Sequence, residues 1–165
     1  MNVVVPADVA TKRPRHTILQ LGALAGAVPS ARRHAQNVIR EWGMPELVDT
    51  TALLVSELVT NAVTASGDLS QQFGTPPVRL LLVAGHHGVL IQVWDASNRM
   101  PAEPSIPEPL DAENGRGLLL VEALSARWGA YRSSGIGKVV WAVVEPPRLR
   151  HHLRGAAPPK ISLGN

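Results

Sequence analysis

Apolar residues recur at helical spacing in two neighbouring stretches of the chain. In residues 46–65 they fall three, four or seven positions apart, which predicts the longest helix of the protein, ending at Ser66-Gly67. Residues 31–42 carry a shorter pattern of the same kind, for which Ser30 is the expected N-cap. Each stretch is polar on the opposite side, so each helix is expected to pack one side against a core.

Short runs rich in β-branched and apolar residues predict strands on both sides of these helices. The predicted strands are residues 17–21, 78–83, 89–94, 128–133 and 138–144. Glycines at both ends of the turn between the second and third runs predict a hairpin. A short helix is predicted between the third and fourth strands, beginning after Gly115-Arg116-Gly117 and ending near residue 126.

The order of these elements indicates the fold class. Strands that follow one another directly pair antiparallel, and the helices then gather on one face of the sheet. We therefore predict an α+β fold, a two-layer sandwich with a mixed, mostly antiparallel sheet and helices on one face. Residues 101–114 hold four prolines and four acidic residues, a composition that predicts a surface loop rather than a helix or central strand.

Composition indicates one globular domain. The chain has 165 residues, of which 45% are hydrophobic and 18% charged, enough for a single core. The absence of cysteine excludes a disulfide scaffold, thiolate zinc sites and a cysteine nucleophile, and agrees with a cytoplasmic location. No apolar run approaches the roughly 20 residues that cross a bilayer. Residues 12–31 allow a signal peptide as an alternative, but Gln20 and two glycines favour a strand and a turn.

Charge is distributed unevenly along the chain. The formal net charge is +3, with a sequence pI of about 10.0. Residues 1–15 carry +2 and residues 148–165 carry +4, which leaves −3 for residues 16–147. We therefore expect one domain over residues 16–147 between two disordered basic arms, and no nucleic-acid-binding face.

One candidate for chemistry lies on the long predicted helix. Glu57, Thr60, Asn61 and Thr64 follow one another at helical spacing as a polar stripe, with Glu57 and Asn61 one turn apart. A carboxylate and an amide so placed can position a hydroxyl or a water and can ligate Mg²⁺ through oxygen. The alternative is an ordinary solvated side of the helix.

Residues 135–138 are rich in glycine but lack the spacing of a phosphate-binding P-loop. Two other candidates for chemistry follow the long helix along the chain. Asp95 ends an apolar strand, where burial would require a partner, although an aspartate there is also typical of a turn. Gly115, Arg116 and Gly117 lie at the start of a predicted helix, where backbone N–H groups can approach a phosphate. A simple helix cap is the alternative for these three residues.

These three features, in this order, resemble the histidine-kinase-like ATPase superfamily, and most closely its anti-sigma-factor serine/threonine kinase branch. Residues 57–62 look like the N box of that family, residues 93–95 like its first glycine box and residues 115–118 like its second. The resemblance covers residues 17–144.

The resemblance implies a role for each matching residue, with ATP and Mg²⁺ as cofactors. Glu57 would act as the general base toward the attacking hydroxyl, and Asn61 would hold the Mg²⁺ that bridges the ATP phosphates. Asp95 would accept a hydrogen bond from the adenine amino group. Ser97 replaces the glycine usual in the first glycine box, so its hydroxyl would bond to the base or to a water. The phosphate side would be formed by Gly115, Arg116, Gly117 and Leu118.

The implied function is an ATP-dependent Ser/Thr protein kinase that sequesters a sigma factor and phosphorylates an antagonist protein. Because only 56 residues precede Glu57, we do not expect the phosphoacceptor module of histidine kinases. The alternative is a non-catalytic module of the same fold that binds ATP or a protein; Glu57 favours the enzyme and Ser97 this alternative. Homodimerisation is common in the resembled family and is implied only by that resemblance. Arg32 and Arg33 are candidates for contacting an acidic partner.

Overall fold

The computed structural model describes residues 15–101 and 113–146, which form a five-stranded sheet and a layer of helices. The strands are β1 (His16–Gly22), β2 (Pro77–Ala84), β3 (Val89–Asp95), β4 (Arg127–Arg132) and β5 (Lys138–Val144). The helices are α1 (Ala27–Glu41), α2 (Val48–Phe73) and α3 (Glu113–Leu124), with a 3₁₀ turn at Pro45–Leu47 before α2. All five predicted strands and all three predicted helices are present.

The strand order in the sheet is β1-β2-β3-β5-β4, and every neighbouring pair is antiparallel. The predicted α+β two-layer sandwich is therefore confirmed, with a sheet that is antiparallel rather than mixed in the described residues. Because β5 lies between β3 and β4, it places its first residue directly opposite the last residue of β3. This register decides the neighbours of Asp95.

The helices cover one face of the sheet, and the main core lies between the two layers. Alternate residues of the strands point toward this core because side chains along a strand alternate between faces. Leu80 and Ile91 belong to the same buried cluster as Ile39 of α1 and Leu58 of α2. Burying each such side chain contributes about 1.5–3 kcal/mol. The apolar side of each of these two helices thus faces the core, as predicted.

The start of the first helix and the end of the second differ from the predicted ones. The first helix begins at Ala27 rather than after Ser30, which lies in its first turns and is not the cap. Its N-terminal turn accommodates Pro29, because the N–H that proline lacks would have no intrahelical acceptor at that position. The second helix does not end at Gly67 but continues to Phe73, since a helical glycine costs only about 1 kcal/mol relative to alanine.

Several predicted segments lie outside the described residues, namely most of the two basic arms and residues 102–112 of the acidic loop. Arg15, which closes the predicted N-terminal arm, is described. Its carbonyl accepts a hydrogen bond from Ala84 N at 2.8 Å, and its guanidinium donates to the Trp42 carbonyl at 2.9 Å. Within the described ranges, no helix has the length and apolar character that a membrane-spanning helix requires.

Candidate functional site

The polar side of α2 presents two half-buried residues, Glu57 and Asn61, one helical turn apart. Thr60 and Thr64, which complete the predicted stripe, are exposed. The stripe therefore has a half-buried part and an exposed part. The reason is that α2 packs against both β3 and α3, and only part of its polar side faces those elements. The carboxylate and the amide lie at the edge of the packed layer.

Gly117 of α3 lies against these two residues. A β-carbon built on Gly117 would stand 2.7 Å from Oε2 of Glu57 and 3.7 Å from Oδ1 of Asn61. The first distance is shorter than real β-carbons tolerate, so any other amino acid at position 117 would displace the Glu57 side chain. The structure thus brings the predicted N box and the predicted second glycine box together, although they are far apart in the sequence.

The segment from Gly115 to Leu118 is helical, which corrects the prediction that the glycines precede the helix. It occupies the first turns of α3, which begins at Glu113. The first four N–H groups of a helix lack intrahelical acceptors, so backbone donors are available at the start of α3 rather than along the whole glycine segment. Leu118 is buried, with 9% of its surface exposed, as is Val121 one turn later.

Asp95 is buried at the end of β3, with 1% of its surface exposed. Its Oδ1 accepts hydrogen bonds from Lys138 Nζ at 2.8 Å and from the Ser97 N–H at 2.9 Å. Burial raises the pKa of the Asp95 carboxyl above its ordinary value, while Lys138 and the Ser97 N–H act in the opposite direction. Asp95 is therefore both a turn residue and a buried charge with a partner, so both sequence interpretations hold.

Lys138 is the residue of this site that the sequence analysis missed. It is the first residue of β5, whose seven positions are all buried and otherwise apolar. The sequence did contain a sign of its role, namely a charged residue in an otherwise apolar strand. Lysine is almost never fully buried unless it is paired, so a partner for Lys138 could have been expected. Its partner could not be identified without the strand order, which sets Lys138 opposite Asp95.

The turn after Asp95 is tied to the connection between β4 and β5. Ser97 is buried, and its Oγ accepts a hydrogen bond from the Arg99 N–H at 3.1 Å. Asn98 Oδ1 accepts from the Gly137 N–H at 3.2 Å, and the Asn98 carbonyl accepts from Arg132 Nη1 at 3.1 Å. The Ser97 N–H and Oγ are thus both used in local hydrogen bonds, which tie the backbone after β3 to the Asp95 side chain and to Arg99.

A divalent cation would have few protein ligands here. Within residues 15–101 and 113–146, no group of three or more His, Cys, Asp or Glu side chains is arranged to hold a metal ion. Asn61 and Glu57 offer one amide and one carboxylate oxygen at the edge of the helix layer. Mg²⁺ is commonly bound through one or two protein ligands together with phosphates and waters, so this pair fits such a shared site.

A known protein family matches most of the chain. Residues 21–144 match the family model of the histidine kinase-like ATPase domain, a stretch that includes every site residue described above. The chain therefore belongs to the histidine kinase-like ATPase domain family, as the sequence motifs predicted. Membership suggests ATP binding and fits an activity that uses ATP. A search of curated proteins found no match for the chain.

Proposed function

We propose that the protein is an ATP-binding anti-sigma regulatory factor that transfers the γ-phosphoryl group of ATP to a Ser or Thr of an antagonist protein. The observation that carries this proposal is the close approach of Gly117 to Glu57. It supports a phosphate-side role for the start of α3, next to a carboxylate and an amide on α2. Phosphoryl transfer depends mainly on positioning and charge stabilisation, which such an arrangement supplies.

In this proposal Asp95 recognises the adenine ring. An ionised carboxylate only accepts hydrogen bonds, and the exocyclic amino group of adenine is a donor. The hydrogen bonds of the turn through Ser97 and Asn98 support this role, because an acceptor that is already held in place loses little conformational entropy when the base binds. Ser97 has its N–H and Oγ in local hydrogen bonds, so its proposed contribution is to support Asp95, with its hydroxyl left to interact through its second lone pair.

The phosphates are proposed to lie between α2 and α3. Asn61 would hold Mg²⁺, which when bound neutralises part of the negative charge of the phosphates. Gly115, Arg116, Gly117 and Leu118 would form the phosphate side through the start of α3. Glu57 would accept the proton of the attacking hydroxyl, for which its half-buried carboxylate, packed beside Gly117, is suitably held.

The partners are proposed from the resemblance of the N box and the two glycine boxes to the anti-sigma kinase branch. They are a sigma factor and its antagonist protein, which places the activity in the cytoplasm. Arg32 and Arg33 are both exposed on α1 and offer a cationic surface to an acidic partner. Homodimerisation belongs to the same proposal.

A second candidate function is a regulatory module that binds ATP or a protein without catalysis. Ser97 favours it, because a residue with a side chain stands where the resembled family usually has glycine. The amide of that serine and one acceptor position of its hydroxyl are also used within the turn.

Phosphoryl transfer to the antagonist separates the two candidates. The purified protein is incubated with Mg²⁺, γ-labelled ATP and its cognate antagonist, and label on a Ser or Thr of the antagonist is measured. The kinase proposal expects transfer that requires Mg²⁺ and the wild-type Glu57. ATP binding without transfer would favour the non-catalytic module, and absence of ATP binding would contradict both nucleotide-dependent proposals.

A further inference from the structure

We infer that Lys138 is a positioning residue for the nucleotide base: it holds the Asp95 carboxylate in one orientation, with Oδ2 directed to the base. This inference rests on the proposed ATP binding. Within the described residues, the two hydrogen bonds to Asp95 both end on Oδ1, from Lys138 Nζ and from the Ser97 N–H. Two donors on one oxygen fix the plane of the carboxylate and leave the other oxygen for a ligand.

Stability alone is a weak explanation for this ion pair. Lys138 and Asp95 have only 5% and 1% of their side-chain surfaces exposed, and both point into the layer between sheet and helices. Desolvation of a buried pair offsets most of the attraction, so well-packed apolar residues at two such positions are often as stable or more stable. The rest of β5 is apolar. A lysine in this strand is better explained by what it does to Asp95.

Lys138 keeps the carboxylate a pure acceptor. Burial favours the protonated form of Asp95, and the ammonium group at 2.8 Å favours the ionised form. An ionised carboxylate accepts from a base that presents an amino group and repels one that presents a carbonyl oxygen. Lys138 thereby contributes to the choice of base without touching the nucleotide.

The surroundings of Asp95 make Lys138 the group that governs its charge. The residue opposite Asp95 on β2 is the uncharged Val78. On β4, Arg132 lies opposite Lys138, on the side away from Asp95. Of the helices over this face, α2 carries the half-buried Glu57, and Glu122 of α3 is exposed.

Calorimetric titration of ADP with Mg²⁺, repeated across pH, tests the inference. Lys138→Met is expected to bind ADP about ten- to a hundredfold more weakly at neutral pH, because the carboxylate loses a charged hydrogen-bond donor. The loss of binding at acidic pH should also move to higher pH, because the pKa of Asp95 rises when the ammonium group that favours its ionised form is removed. Lys138→Arg keeps the charge and should restore most of the affinity and the wild-type pH profile.

Arg79→Met is the matched control. Arg79 is also a positively charged residue on a strand, but it lies on the opposite face of the sheet. Its guanidinium carbon is 4.9 Å from the centre of the Trp94 ring. It should therefore leave both the affinity for ADP and its pH profile unchanged. Near-ultraviolet circular dichroism establishes that each variant is folded before it is titrated.

The outcomes separate this inference from the proposed function. Wild-type protein that binds neither ADP nor ATP would contradict the proposed function. Wild-type binding together with an unaltered affinity and pH profile in Lys138→Met would overturn the role of Lys138 alone. If Lys138→Met does not fold, the Nζ proton signals of Lys138 in labelled wild-type protein decide. Their persistence at saturating ADP supports the inference, and a broken ion pair in the complex overturns it.

Discussion

Oε2 of Glu57 lies 2.7 Å from the point that a β-carbon on Gly117 would occupy. Any side chain at position 117 would therefore have to push the Glu57 carboxylate aside. The carboxylate proposed as the catalytic base thus lies against the backbone of α3 at Gly117. This contact makes the proposed site sensitive to a single methyl group.

Gly117→Ala is expected to slow phosphoryl transfer about ten- to a hundredfold, because the added methyl group displaces the Glu57 carboxylate from its position. The fold should persist, since a glutamate side chain can rotate away. Transfer to the antagonist and the thermal unfolding of the variant are measured together.

Gly67→Ala is the control for this substitution. Gly67 is also helical, and a β-carbon there would meet no atom within 4 Å. The variant should transfer phosphate normally and gain about 0.5–1 kcal/mol in the free energy of unfolding. Equal transfer rates in Gly117→Ala and Gly67→Ala would show that the Glu57 contact has no part in the reaction.

Glu57→Gln removes the proposed base while keeping the size of the side chain. We expect ADP affinity to be retained and phosphoryl transfer to fall by about two to four orders of magnitude. Asn61→Ala should instead abolish transfer that depends on Mg²⁺. Thr64→Ala changes an exposed residue of the same helix and should have no effect on either measurement. Normal transfer in both Glu57→Gln and Asn61→Ala would refute the site assignment.

The buried pair of Lys138 and Asp95 predicts strongly non-additive stability effects. Lys138→Met leaves Asp95 buried without its cation and should cost about 3–5 kcal/mol in the free energy of unfolding. The double variant with Asp95→Asn should cost far less than the sum of the two single changes, because neither charge is then left uncompensated. Urea unfolding of the four proteins measures this cycle, and additive costs would contradict the pairing.

Gly137 is expected to tolerate no other residue. Its φ is +91°, and a β-carbon there would collide with the backbone carbonyl of Asp95. Gly137→Ala should therefore lower the free energy of unfolding by at least about 1–3 kcal/mol. Gly135→Ala, two residues earlier in the same turn, meets nothing within 4 Å and should change stability little. Similar midpoints in urea for both variants would contradict this account.

His34 is expected to make stability depend on pH below neutrality. It is half-buried on α1, with Nε2 3.4 Å from Thr17 Oγ1. Burial lowers the pKa of His34 below 6.5, and Glu41 opposes that shift. The unfolded chain then binds a proton before the folded protein does, so the contribution of His34 is present above pH 6.5 and is lost as pH falls through the lowered pKa.

His34→Gln should consequently lose less stability than the wild type when urea unfolding is compared at pH 7.5 and at about pH 5.5. The comparison uses the difference between the two proteins, since other groups titrate in both. Identical pH dependences would exclude His34 as the source.

The helices were predictable as elements but not at their ends. Apolar spacing identified α1 and α2 because a side of each helix must meet the sheet. The helix ends predicted from Ser30 and Gly67 were wrong, because local capping and propensity contribute about 1 kcal/mol or less. The tertiary packing of a long helix readily outweighs that contribution. The glycines before Leu118 misled for the same reason, and are helical where α3 packs on α2.

The sequence by itself determined the order of elements, the antiparallel α+β class and the family, and it singled out Glu57, Asn61 and Asp95. Periodicity and motif spacing are local properties, so they survive without knowledge of the fold. Only the tertiary structure placed Lys138 beside Asp95 and Gly117 beside Glu57, because each contact joins residues from distant parts of the chain. Strand order and helix packing bring these pairs together, and no local pattern specifies that choice.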